Sequence, residues 1–128
     1  MEKKNLLITI GTIVAIVIPL AIYASVSKPK QDSGPSDQFA QCLTDKGAKF
    51  YGAFWCSHCI SQKKMFGQSF EKINYIECST PDGKSQIKEC EEAGINGYPT
   101  WKFADGSKVE GEVSFEVLSQ KTGCELAK

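Results

Sequence analysis

The chain has 128 residues, 15 cationic and 15 acidic side chains, one histidine and six cysteines. That length leaves room for one globular domain and excludes a second independent core. All the cations are lysines, so no guanidinium can read phosphates or guanine edges in the bidentate mode, and nucleic acid is not an expected partner.

From Asn5 to Ser27 no residue is charged, and Leu6–Tyr23 is almost wholly apolar. At 1.5 Å per residue, a helix of that length reaches about 30 Å, the hydrocarbon thickness of a bilayer. The run is longer than the apolar part of a signal peptide, and Ala24-Ser25-Val26-Ser27 makes a poor cleavage site. Residues 1–27 are therefore expected to form a cytoplasmic tip and a transmembrane anchor. Lys3 and Lys4 on one side are matched by Lys28 and Lys30 on the other, so flanking charge does not orient the span. Residues 28–38, with two prolines, a glycine and no large apolar side chain, read as a flexible tether. The domain is then 39–128, near neutral, and it contains every cysteine: Cys42, Cys56, Cys59, Cys78, Cys90 and Cys124. An even cysteine count in a small tethered domain points to disulfides and an oxidising compartment, which places the domain on the periplasmic or extracellular side of the cell membrane.

Within the domain, Asp37–Lys46 has Phe39, Cys42 and Leu43 at helical spacing and stops at Gly47. Ala48–Trp55 follows as a strand whose continuous hydrophobicity suits a central position covered on both faces. Cys56 and Cys59 then open a helix continuing over Ile60–Phe70. A second strand is predicted over Ile73–Cys78, a turn at Thr80-Pro81-Asp82-Gly83, and a polar helix over Ser85–Ala93. Thr100–Ala104 and Ser107–Gly111 flank Asp105-Gly106, a pair that supplies the positive φ values of a tight hairpin. Ser114 is the expected N-cap of a last helix, Ser114–Lys121, that ends at Gly123. Trp101 and Phe103 read as core or strand packing.

Two cysteines two residues apart, after a buried strand and at a helix start, have a specific chemical use. The positive helix end favours the thiolate of Cys56 over the free thiol near 8.5, and the thiolate is the nucleophile of disulfide exchange. Cys59, one turn on and less exposed, is placed to attack a mixed disulfide formed by Cys56. His58 stands between them and, when charged, stabilises the thiolate, which biases the pair towards oxidation of its partners. Cys-x-His-Cys could ligate zinc or copper, but structural zinc wants four ligands and the chain offers no second histidine and no other close cysteine pair, while the haem attachment signature needs a histidine where Ile60 stands, so neither metal nor cofactor is expected. A bridge confined to Cys56–Cys59 closes too short a loop to be of much structural use. Gly97-Tyr98-Pro99-Thr100 precedes a strand; a cis Tyr98–Pro99 bond there would expose the Tyr98 backbone to an extended peptide, whereas the plain alternative is an ordinary turn.

Trp55-Cys56-Ser57-His58-Cys59 followed by Tyr98-Pro99-Thr100 resembles the thioredoxin superfamily. More closely, YGAFWCSHC, QKKMFG, INYIEC and GYPTW resemble the thioredoxin-like domain fused to, or paired with, vitamin K epoxide reductase homologues. The resemblance implies an α/β thioredoxin-like fold, here with an N-terminal transmembrane helix, and a thiol–disulfide oxidoreductase that oxidises exported proteins. It also implies a membrane partner of the vitamin K epoxide reductase type that passes the electrons to a quinone. By motif, Cys56 corresponds to the exposed nucleophile, Cys59 to the buried resolving thiol and Pro99 to the cis proline. Three departures stand out: Ser57 replaces a common proline, Phe50 occupies a strand position where thioredoxins often bury a carboxylate, and quinone-reducing helices are absent from this sequence. A reductase or isomerase of the same fold, or a copper- or partner-binding module, are the alternatives.

Four cysteines remain, with three possible pairings. Cys78 and Cys90 are close enough in sequence for a local bridge, which leaves Cys42–Cys124 to tie the two ends of the domain. A redox relay through Cys78–Cys90 is the other use of the local pair.

Overall fold

The apolar run after Gly47 becomes the middle of a four-stranded sheet. In the computed structural model, which describes residues 37–126, the elements in chain order are α1 (Asp37–Asp45), β1 (Lys49–Gly52), α2 (Ser57–Phe66), a 3-10 segment (Gly67–Lys72), β2 (Tyr75–Glu77), α3 (Lys88–Glu92), β3 (Thr100–Lys102), β4 (Lys108–Glu110) and α4 (Phe115–Thr122). The strand order is β2-β1-β3-β4. β1 runs parallel to β2, with Phe50 opposite Tyr75, and antiparallel to β3, with Phe50 opposite Trp101. β3 and β4 form the hairpin. The expected span over 6–23 and most of the tether lie outside the described residues; among the described residues no helix is long and apolar enough to cross a membrane.

Successive residues of a strand point to opposite faces, and β1 uses both. Phe50 joins Phe39, Leu43, Phe66, Trp101 and Leu118 in the larger core cluster. Tyr51 joins Cys78, Cys90 and Ile95 in the smaller one. Phe50 and Trp101 rings lie 4.9 Å apart, as do Phe66 and Phe115. Each fully buried large side chain of this kind contributes about 1.5–3 kcal/mol relative to exposure.

Several boundaries differ from the sequence expectation, each for a local reason. The first helix starts at Asp37 as its spacing predicts, so it takes in Asp37 and Gln38 from the 28–38 tether, and Ser69 Oγ donates to Asp37 Oδ1 (2.8 Å), which ties the helix start to the 3-10 segment. The strand predicted to reach Trp55 ends at Gly52: the Gly52 carbonyl accepts Cys78 N–H (2.7 Å), and the chain then turns, with Cys56 N–H donating to Ala53 O (3.1 Å). Phe54 and Trp55 are left about half exposed, at 51% and 54%. The helix predicted to Phe70 breaks at Gly67, whose φ of 55° is open to glycine at little cost. The helix predicted from Ser85 shrinks to Lys88–Glu92, because Gln86 pairs with Ser79 in an isolated bridge and Ile87 N–H is bound by Cys78 O (2.8 Å). In the hairpin only Gly106 has positive φ (81°), so the connection is a turn closed by Gly106 N–H to Phe103 O (2.9 Å) and not a two-residue Asp-Gly loop.

Two disulfides fasten this frame. Cys42–Cys124 spans 82 residues and joins α1 to the segment after α4; Cys78–Cys90 spans 12 and joins the end of β2 to α3. Buried Gln62 adds a polar tie: its amide accepts Val113 N–H (2.6 Å) and donates to Val113 O (3.0 Å), fixing the β4–α4 connection on α2.

Chain-entropy arithmetic orders the two bridges by loop length. Replacing Cys42 and Cys124 with serine should cost about 4.5 kcal/mol and replacing Cys78 and Cys90 about 3 kcal/mol, read as changes in urea unfolding free energy. A larger loss from the short loop would show that native-state contacts, and not the unfolded chain, govern the effect.

Candidate active site

The chain leaves β1, turns once and enters α2, and this geometry builds the site. Cys56 is the N-cap residue of α2, extended at φ −77° and ψ 117°, and its sulfur accepts the N–H of Cys59 at 3.3 Å. The cysteine sulfur thus takes the place that a serine or aspartate oxygen takes at most helix starts. Cys56 and Cys59 are free thiols, the first 8% exposed and the second fully buried.

Burial, followed by the hydrogen bond with Cys56, pushes the Cys59 thiol up to about 12; a backbone contact with Ala53 and the charge of Lys63 act in the opposite sense. The buried sulfur therefore keeps its proton in the reduced state. Its burial depends on Gly52, since a Cβ at that position would lie 3.0 Å from Cys59 Sγ and 3.2 Å from the Tyr75 ring.

His58 is exposed, and its Nδ1 lies 2.7 Å from Glu112 Oε1. Ser61 Oγ donates to the other oxygen of the same carboxylate at 2.9 Å. These contacts hold the Glu112 carboxyl below its usual range, the His58 bond being the larger cause. A carboxylate this close offsets the charge that a protonated His58 presents to Cys56. Glu112 lies 54 residues from His58 in sequence, and no motif marks it.

The Tyr98–Pro99 peptide bond is cis. The Tyr98 ring packs against Trp55, centroids 6.0 Å apart, which brings this loop beside the residue preceding Cys56. Thr100 is fully buried, donates through Oγ1 to Gly97 O (2.8 Å) and stands opposite Tyr51 in the sheet. Pro99 is also buried, and its carbonyl accepts Gly111 N–H (2.8 Å). Of the three loop residues, Tyr98 is the one that remains partly accessible.

The second disulfide stands close by. Trp55 Nε1–H donates to Ser79 Oγ (2.9 Å), the residue after Cys78. Cys78 and Cys90 are themselves fully buried, which denies an external thiol access to them and argues against the relay. Among the described residues, no group of three or more His, Cys, Asp or Glu side chains is arranged to hold a metal. Sequence reasoning also passed over Glu77, whose carboxylate accepts N–H groups from Phe54 (3.2 Å) and Ser79 (3.0 Å) and the Tyr75 hydroxyl (2.6 Å), bracing the loop before Cys56. Its position opposite Gly52 in the parallel register is the only pointer to that role.

No family model matches the chain. Over 92 residues it is 46% identical to thiol-disulfide oxidoreductase LTO1 of Arabidopsis thaliana, an alignment covering 68% of this chain and 24% of that protein. Over 68 residues it is 34% identical to a Schistosoma mansoni protein named "Probable protein disulfide-isomerase ER-60", covering 50% of this chain and 14% of the relative. The chain thus spans less than a quarter of the length of either relative.

Two outcomes follow from the packing around Cys59. Gly52→Ala should cost about 1–3 kcal/mol in urea unfolding of the reduced chain, as overpacking in a filled core does; a neutral result would mean the sulfur can move aside freely. The raised Cys59 value also sets a pH dependence. The folded reduced protein holds this proton more tightly than the unfolded chain, so the stability it brings is complete below about pH 9 and is lost as pH rises from there towards about 12. The disulfide form has no such thiol, so the reduced form should lose stability relative to it across that window in parallel denaturant titrations.

Proposed function

The described residues form a thioredoxin-like domain, and on that premise we propose that the chain is a membrane-anchored thiol–disulfide oxidoreductase that oxidises cysteines of exported proteins. The observation that carries this reading is the asymmetry of the pair: Cys56 at the helix head with its sulfur receiving an N–H, and Cys59 behind it, buried and protonated. The relative named a thiol-disulfide oxidoreductase supports the reaction class.

In the oxidising direction a substrate thiolate attacks Cys56 Sγ of the Cys56–Cys59 disulfide. The new bond is a mixed disulfide, and the electron pair of the old bond leaves on Cys59. The second thiolate of the substrate then attacks its own bridged sulfur, releases Cys56 and leaves the substrate oxidised and the pair reduced by two electrons. Exposed Phe54, Trp55 and Ile60 around Cys56 offer apolar contact to an unfolded or extended partner. The Tyr98 backbone, in the adjoining loop, is the group that can pair with that partner's main chain. Reoxidation falls to a quinone-linked membrane partner of the vitamin K epoxide reductase type, a role supported by the resemblance of the Cys56 and Pro99 segments. The apolar stretch 6–23 and the confinement of cysteines to the domain support anchoring with the domain outside the cytoplasm.

The second reading is a reductase or isomerase of the same fold. It is favoured by Glu112, because a carboxylate on His58 damps the oxidising bias the histidine would otherwise give, and by the relative named a disulfide-isomerase.

Acid quenching and alkylation of cells should find Cys56–Cys59 mostly oxidised, turning reduced when the quinone-linked membrane protein is lost; a pair mostly reduced in normal cells would favour the second reading. Cys59→Ser should accumulate mixed disulfides through Cys56, and Cys56→Ser should abolish them. Absence of any adduct in Cys59→Ser would overturn the assigned roles.

A further inference from the structure

Opening the Cys56–Cys59 disulfide leaves a thiolate on a sulfur that is fully buried in the reduced protein, where a charge without a proton or a partner is costly. A neighbouring group has to supply that proton. Lys63 follows Cys59 by four residues on α2, so the two side chains lie on one face of the helix. The Lys63 Nζ is 3.6 Å from the centroid of the Tyr75 ring and 5.4 Å from that of Phe70. The Tyr75 ring and Cys59 Sγ both close on the empty side of Gly52, within 3.2 Å and 3.0 Å of the same point. The Tyr75 hydroxyl is fixed by Glu77 Oε2 at 2.6 Å. Among the described residues no carboxylate comes within ion-pair distance of Lys63; its ammonium lies over the Tyr75 ring, near enough to Cys59 for the charge of each to act on the other.

We infer that Lys63 delivers the proton that Cys59 takes up when its disulfide is opened, and removes it in the reverse reaction. This rests on the dithiol–disulfide chemistry proposed above. When a partner thiolate bonds to Cys56 Sγ, the Sγ–Sγ bond breaks with its electron pair on Cys59. The Lys63 ammonium then gives one proton to that sulfur, and the resulting amine regains a proton from water. The charged or titratable groups facing Lys63 are Cys56 and Cys59 on α2 and Tyr75 and Glu77 on β2, while the 3-10 segment presents the apolar Phe70. Burial lowers the affinity of Lys63 for its proton, and the negative charges of Glu77 and the two sulfurs restore part of it. A lysine so placed is a better acid than one in water.

The test is the rate at which dithiothreitol reduces the Cys56–Cys59 disulfide of the whole 128-residue chain, followed by Trp fluorescence from neutral to alkaline pH. Taking the ratio of variant to wild-type rates cancels the ionisation of dithiothreitol. Lys63→Met should be slower by about 10²-fold at neutral pH, and the two rates should converge at high pH, where wild-type Lys63 has lost its proton. Lys63→Arg, which keeps the charge but cannot release a proton, should remain slow; Lys63→Gln takes the place of Lys63→Met if the latter fails to fold. A ratio near one, a slowing that does not vary with pH, or full rescue by arginine would overturn the assignment. Failure of the wild-type pair to exchange at all would instead refute the dithiol–disulfide chemistry on which it rests.

Discussion

Cys59 can be buried against β1 because position 52 carries no side chain. A Cβ there would stand 3.0 Å from the sulfur, so the glycine sets how closely α2 lies on the sheet. Within the first turn of the same helix the Cys59 N–H meets Cys56 Sγ. One sulfur keeps a small exposed area with a donor aimed at it, and the other is fully withdrawn where ionisation is costly. The chemical inequality of two cysteines three positions apart has its origin in this packing contact and in the local cap bond together.

The surroundings keep that arrangement in place from both faces of β1. On one face, Phe50, Phe66 and Trp101 form an aromatic core under α2. On the other, Tyr51 rests on the Cys78–Cys90 bridge, and the loop beyond Cys78 holds Trp55 through Ser79. Glu77 ties the same loop to the turn before Cys56. The connection after β4 completes the site: Gln62 anchors Val113, which places Glu112 over His58 and Ser61. Each of these ties joins segments far apart in sequence at the mouth of one helix.

Much of this was legible in the residues. Cys-x-x-Cys after an apolar run names its own chemistry, because the spacing is one helical turn and the run is a buried strand. Ser114 and Gly123 mark the ends of α4 by the hydrogen-bonding and φ requirements of helix termini. The order of strands and helices follows from hydrophobic pattern and turn residues. The boundaries were less legible: β1 stops at Gly52 and α3 starts late because Gly52, Cys78, Ser79 and Gln86 form hydrogen bonds outside regular elements, and local propensity carries no information on such bonds.

The sequence by itself determined which residue types meet at the helix start, that the fold alternates strands and helices, and that the cysteines are confined to one domain. These depend on local spacing and composition. Only the tertiary structure decided that Glu112 is the partner of His58, that Tyr98 is the accessible member of its loop, and that Tyr75, which closes on Gly52 together with Cys59, carries Lys63 over its ring and Glu77 on its hydroxyl. Such pairings are set by how α2 seats on the sheet and by which connection passes over it. Charge acts over a few ångströms in space irrespective of separation along the chain, so the electrostatic character of the site is a property of the folded molecule.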